Sequence, residues 1–113
     1  MIAVIFEVEP TAREDYFRIA GKLAAELYKM DGFISIERFQ SLHDPDRVLS
    51  LSFWRDEAAV AAWRNTMEHR AAQSAGRGGV FRDYRLRVAQ VVRDYRMQER
   101  EEAPADSRVA HAG

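Results

Sequence analysis

Residues 33–63, FISIERFQSLHDPDRVLSLSFWRDEAAVAAW, hold a strand, a turn, a second strand and a helix start in one run. FISIERFQS (33–41) and VLSLSFW (48–54) are rich in the β-branched, aromatic and alternating residues of strands. Between them HDPDR (43–47) supplies the Asp and Pro of a tight turn, so the two strands are expected to pair as an antiparallel hairpin. Asp56 is then placed to cap the helix that begins EAAVAAW, because its carboxylate can accept a hydrogen bond from a backbone amide with no partner inside the helix. Val60, Trp63 and Met67 fall on one stripe of that helix.

Upstream of this run, residues 2–9 alternate, with Ile2, Val4, Phe6 and Val8 on one side and Ala3, Ile5, Glu7 and Glu9 on the other. Pro10 and Thr11 break the strand. From Thr11 to Met30 the residues Tyr16, Ile19, Ala20, Leu23 and Leu27 recur at helical spacing, opposite Arg13, Glu14, Arg18, Lys22 and Glu26, and Asp31-Gly32 ends the helix. Downstream, GRGG (76–79) closes the second helix and residues 80–94 read as a long last strand with Phe81, Tyr84, Leu86, Val88, Val91 and Val92. The order strand, helix, strand, strand, helix, strand predicts an α+β, ferredoxin-like βαββαβ domain over residues 1–95: a four-stranded antiparallel sheet with two helices on one face. Residues 96–113 lose apolar periodicity and are expected to form a flexible C-terminal tail. The strands carry apolar residues at both parities, Ile34 with Phe33 and Val91 with Val88. The sheet face turned away from the helices therefore needs a cover, and isologous packing against a second copy, a homodimer, is the simplest one.

The 113 residues, 47% of them hydrophobic and 31% charged, provide for one core and not two. Seventeen basic and eighteen acidic residues nearly cancel, so there is no positive footprint for nucleic acid. The absence of cysteine removes disulfides, thiolate metal sites and cysteine nucleophiles, and fits a reducing compartment. MIAVIFEVEP is too short and too acidic for a signal peptide, and no apolar run approaches a membrane span, so a cytoplasmic protein is expected. The three histidines, His43, His69 and His111, are scattered and form no metal-ligand pattern.

Helical phase bears directly on the second helix. On one unbroken helix His69 lies about 120° around from Trp63, counting roughly 100° per residue, and the two side chains diverge. Asn65 followed three residues on by Glu68 resembles a capping box, so a kink or re-start near Arg64 to Thr66 is expected.

Taken together, LSLSFW, DEAAVAAW, HRAAQ and FRDYRLRVAQVVRDY resemble the antibiotic biosynthesis monooxygenase (ABM) family of dimeric α+β barrels, over about residues 1–95. The resemblance implies a homodimer formed through the open sheet face. It also implies a monooxygenase that oxidises a small aromatic, phenolic or quinol-type substrate with dioxygen, without metal, flavin or other cofactor. Such a substrate supplies the electrons itself once deprotonated, and the protein contributes an apolar pocket, a proton acceptor and hydrogen bonds to the anion. Members of the superfamily without turnover, binding small hydrophobic ligands or serving a stress response, and non-oxidative isomerases or cyclases, are the alternatives.

The same resemblance points to particular residues. Trp63 matches the helix tryptophan of the family's active site, against a core role for the same ring. His69 is the plausible base of the ordered domain, as a side chain whose unperturbed pKa is near neutrality, against a solvated helix position. Asn65 orients a carbonyl or caps a helix, and Tyr84 meets a substrate phenol or packs in the core. Arg64 and Arg77 are candidates to stabilise a phenolate, or are solvated, Gln73 is a further substrate-binding candidate whose signal is weak alone, and Trp54 reads as core. Haem-degrading relatives combine a first-strand Asn, a helix Trp and a His ten residues beyond it; here those positions read Glu7, Trp63 and Gln73, which argues against haem degradation.

Overall fold

The computed structural model describes residues 1–66 and 79–110. The elements are β1 (Ile2–Pro10), α1 (Arg13–Leu27), β2 (Phe33–Gln40), β3 (Val48–Trp54), α2 (Glu57–Arg64), β4 (Phe81–Gln90) and a short α3 (Ala105–Ala110). The strands form one sheet in the order β2-β3-β1-β4, and every neighbouring pair is antiparallel. This is the α+β ferredoxin-like arrangement that the order of elements predicts.

Register fixes which side chains share a face. Phe6 stands opposite Ser50 on one side and Leu86 on the other, and Arg38 is opposite Ser50, so Arg38, Ser50, Phe6 and Leu86 form one row across all four strands. Ile36, Ser52, Val4 and Val88 form the next row on the same face. On β3 the period of two is plain: Val48, Ser50, Ser52 and Trp54 are buried, while Leu49, Leu51 and Phe53 are partly exposed on the opposite face. A register shift between Phe33 and Ser35 changes the parity of β2, so that Phe33 and Ile36 share a side and Ile34 is left 52% exposed.

The first helix presents the stripe its spacing predicts, and the second does so at Val60 and Trp63; Met67, the third residue of that stripe, lies outside the described residues. Tyr16, Ala20 and Leu27 of α1 are buried, as are Ala59, Val60 and Trp63 of α2. Asp56 caps α2, its Oδ1 accepting from the Ala59 amide at 2.9 Å. This bond and the neighbouring Arg55 guanidinium hold the Asp56 carboxyl below the usual carboxylate range. Arg55 also forks onto Asp31, with both bonds at 3.1 Å, and lowers that carboxyl in the same way. The backbone of Arg55 donates to Gly32 O at 2.8 Å, so the turn after α1 and the start of α2 are joined by main chain and side chains together. Gly32 has φ of 87°, and a Cβ there would sit 2.6 Å from the Ala59 Cβ, which makes glycine a steric requirement at this contact.

α2 ends where a break is expected. Asn65 donates from both its backbone N and its side-chain Nδ2 to Ala61 O, at 3.2 and 2.8 Å, and so closes the helix it follows. Glu68, the other half of the expected capping box, and any helix beyond it lie outside the described residues.

β4 stops at Gln90, short of the expected 94: its sheet neighbour β1 begins at Ile2, and the bond from the Val91 amide to Met1 O is where their pairing ends. Beyond it, Arg100 lies over the Tyr95 ring at 5.2 Å, Arg108 Nε donates to Arg100 O, Ala103 is buried, and α3 forms within the segment expected to be a flexible tail. No described helix is long and apolar enough to cross a membrane.

The core has two centres along the strand direction. One gathers Ile2, Leu27, Trp54, Ala59, Val60 and Trp63; the other gathers Val8, Tyr16 and Val48 with Phe6, Val80 and Phe81 packed against them. The two rows that hold the serines of β3 lie between them.

Candidate active site

A cavity of about 390 Å³ occupies the space between these two core centres, roofed by α1 and α2 and floored by the helix-facing side of the sheet. Its size falls in the range of small-molecule sites, about 300–1,000 Å³. The sequence makes this space with small residues in the central strand: Ser50 and Ser52 stand where neighbouring positions carry Val48 and Trp54, so the floor is low in the middle and high at both ends. Val4, Phe6, Leu23, Ile36, Leu86 and Val88 give it an apolar body.

One end is built from tryptophans. Trp54 and Trp63 pack with ring centroids 6.4 Å apart and planes inclined by 31°, and both are almost wholly buried. The Trp54 indole N-H is satisfied by Ser52 Oγ at 3.0 Å, so a floor serine also fixes the wall. At the other end Phe6, Phe81 and Tyr84 form a triangle with centroids 5.6–6.0 Å apart, and Tyr16 meets Phe81 at 6.0 Å. Tyr84, Leu86 and Val88 of β4 line the cavity yet remain about half exposed, so this edge gives access from solvent.

Polar groups on the wall are few. Ser50, Ser52, Tyr16, Tyr84, Arg38 and Arg64 reach it, and none of the described lining residues is acidic. Burial pushes the Tyr16 phenol above its ordinary value, and the adjacent Arg38 guanidinium partly offsets that, so the hydroxyl keeps its proton at neutral pH. Among the described residues no group of three His, Cys, Asp or Glu side chains is arranged to hold a metal ion.

Residues 1–75 match the family model for antibiotic biosynthesis monooxygenase. The chain belongs to the antibiotic biosynthesis monooxygenase family. Among curated relatives, the jasmonate monooxygenase ABM of Pyricularia oryzae is 48% identical over 101 residues; these make up 88% of this chain but 47% of that protein, so the chain spans about half of its length. Solved ABM structures share the fold at low identity. A putative antibiotic biosynthesis monooxygenase from Deinococcus radiodurans superposes with a TM-score of 0.76 at 13% identity, covering 85% of this chain and 97% of that one. SnoaB, a cofactor-independent oxygenase from Streptomyces nogalater, superposes with a TM-score of 0.73 at 11% identity, covering 82% and 94%.

Of the residues singled out from the ABM resemblance, Trp63, Arg64 and Tyr84 all line the one cavity. Trp63 also belongs to the core, so lining the cavity and packing in the core do not exclude each other. Trp54, read as core, is core and cavity wall at once. Asn65 is not among the lining residues and engages Ala61 O instead. His69, Gln73 and Arg77 lie outside the described residues.

Three features of the cavity are absent from the sequence reading: Arg38, Tyr16 as a polar group, and the serine pair of β3. For the serines the signal is parity, since two small polar residues sit on the side of β3 that otherwise faces the core; Arg38 joins them only through the register shift in β2.

Proposed function

We propose that the protein is a monooxygenase that acts without a bound cofactor on a small aromatic, phenolic or quinol-type substrate held in the cavity between the two core centres. The observation that carries this reading is the convergence of Trp63, Arg64 and Tyr84 on one mostly apolar cavity in a chain of the ABM family. In the proposed reaction a base removes a proton from the substrate, and His69 is our candidate for it. The anion gives an electron to dioxygen, and the resulting radicals combine into a hydroperoxide. Where the reacting carbon is a CH2 group, loss of water leaves C=O: one oxygen atom enters the product, the other departs as water with the two hydrogens, and the substrate supplies all the electrons. Arg64 and the Tyr84 hydroxyl stabilise the anion as it forms, and Trp63 holds the ring. Asn65, Gln73 and Arg77 remain candidates for orienting it.

The functional unit we propose is a homodimer, as is typical of the family. The sheet face away from the helices carries Ile5, Leu49, Leu51 and Phe53, all partly exposed, with Phe39 42% exposed, and isologous packing would cover it. Sedimentation should give about 26 kDa, twice the 13.0 kDa of one chain; a single species at the chain mass at micromolar concentration would remove this part of the proposal.

Oxygen uptake over a panel of anthrones and hydroquinones tests the chemistry. Jasmonate joins the panel because of the 48% identical relative's name, and is assayed with and without an added reductant, since a substrate that cannot supply its own electrons needs one. We expect uptake above the buffer rate for at least one compound, a product heavier by one oxygen-for-hydrogen-pair exchange or by one oxygen atom, and a loss of ten-fold or more in kcat/KM for Trp63→Phe. Absence of uptake across the panel sinks the reading. Turnover that leaves the mass unchanged would instead identify an isomerase or cyclase.

A further inference from the structure

The helix-facing side of the sheet contains a cation that the proposed oxygen chemistry does not use. Arg38 sits at the end of the row Arg38, Ser50, Phe6, Leu86, on the cavity wall. Its Nε is buried without a hydrogen-bond partner, its side chain hydrogen-bonds the Tyr16 hydroxyl, and it takes part in no ion pair among the described residues. Other arginines of this chain are bonded to a side-chain amide oxygen (Arg13) or to carboxylates (Arg18, Arg47, Arg55 and Arg87), which Arg38 is not. A guanidinium carries five donors, and a neutral phenol oxygen satisfies only part of them, so this half-buried cation has donors left for a further acceptor in the cavity. Nothing acidic on the described lining supplies it.

We propose that Arg38 and the Tyr16 hydroxyl form an anion subsite that binds the carboxylate of an amphipathic monocarboxylic acid, with the rest of the ligand lying along the apolar floor toward Trp54 and Trp63. Both groups are donors: the phenol of Tyr16, beside Arg38, stays protonated because burial raises its pKa. The fork of a guanidinium matches the two oxygens of a carboxylate. Length follows from register. The row of Arg38 and Phe6 lies four residues along the strands from the row of Ile2 and Trp54, about 13 Å at roughly 3.3 Å per residue. A ligand anchored at Arg38 therefore reaches the tryptophan end if it carries one or two rings or an equivalent chain beyond its carboxylate. This subsite deepens the proposed function by naming the class of substrate, and it rests on that reading only for what happens to the ligand after binding.

A matched pair of probes separates charge from shape: 1-naphthaleneacetate and 1-naphthaleneacetamide have nearly the same outline and differ in the anion. Titration calorimetry on the full chain should give at least ten-fold tighter binding of the acid than of the amide. Arg38→Met, which keeps the length and removes the charge, should abolish that preference while leaving amide binding within two-fold. Arg38→Lys should retain part of it, and Tyr16→Phe should weaken the acid by several-fold. The thermal midpoint of Arg38→Met should stay near that of the parent, because the variant loses the bond to Tyr16 but also a cation whose Nε is buried without a partner; a purely structural arginine would give a clear drop instead. Equal affinity for acid and amide, no binding of the acid at millimolar concentration, or an unchanged preference in folded Arg38→Met each overturns the subsite. Failure here and failure of the oxygen chemistry are distinguishable: acid preference without oxygen uptake retains the subsite and removes the monooxygenase, and turnover of neutral substrates by a protein without acid preference does the reverse.

Discussion

Replacing Ser52 with alanine removes the acceptor of the Trp54 indole N-H while changing almost no volume. Trp54 is 1% exposed and Ser52 7%, and their bond is 3.0 Å long, so both partners are out of bulk water. A buried donor left without its acceptor costs about 1–3 kcal/mol. Ser52 borders the cavity, from which a water molecule can reach the stranded N-H, so the lower part of that range applies, about 1–2 kcal/mol. For a domain of this size that lowers the thermal midpoint by several degrees, at about 4–8 °C per kcal/mol. Urea unfolding of the parent, Ser52→Ala, Trp54→Phe and the double variant forms the assay. In the Trp54→Phe background the Ser52→Ala change should cost about 1 kcal/mol less than in the parent, since no donor remains to be stranded. Because Trp54 packs on Trp63, Ser52→Ala should also shift the near-ultraviolet circular dichroism that the two tryptophans dominate. A stability within about 0.5 kcal/mol of the parent together with an additive cycle would refute the claim that Ser52 holds the tryptophan wall.

Three further outcomes follow from the same packing. Gly32→Ala should lose about 1–3 kcal/mol, because the new Cβ must displace Ala59 and adopt a positive φ; urea midpoints measure this, and a neutral result would mean that α2 shifts freely at its first turn. Trp63→Ala should cost about 3–5 kcal/mol and open the tryptophan end of the cavity, which unfolding and ligand titration read together. Asp31 and Asp56 have folded-state pKa values below the ordinary 3.8, so their contribution is present above that value and is lost as the pH falls through the folded values; Asp31→Asn should flatten the acid limb of the stability profile.

Much of the fold was legible because its signals are local. The alternation in β1 and β3, the Asp56 cap and the stripe from Tyr16 to Leu27 are each set by a few consecutive residues and the period of their element. The cavity was not legible, because it depends on which strands neighbour each other and in what register. Ser50 and Ser52 read as ordinary members of LSLSFW until β1 and β2 place Phe6, Val4, Arg38 and Ile36 beside them. The shift between Phe33 and Ser35 adds a second obstacle, since counting by twos from Phe33 sends Arg38 to the wrong face. Trp63 and Arg64, candidates from the family resemblance, stand on the wall, whereas Arg38 comes from the hairpin strand before them and belongs to none of the motifs that carry that resemblance.

The serine pair also sets stability against binding. The cavity opens to solvent along the β4 edge, so water has access to it and can hydrogen-bond Arg38, Tyr16 and the serines, and a ligand gains affinity by displacing water from the apolar floor. Ser50→Val tests this balance at the lowest part of the floor. Valine suits a strand and adds apolar surface between Phe6 and Arg38, so unfolding should become harder by about 1 kcal/mol at roughly 0.8 kcal/mol per buried methylene. Its methyl groups occupy the space a ligand needs, so affinity for a cavity ligand should fall by ten-fold or more in the same protein. A variant that is less stable and binds as well as the parent would show that Ser50 serves the fold through its hydroxyl, and the cavity floor would then have to be assigned to Ser52 alone.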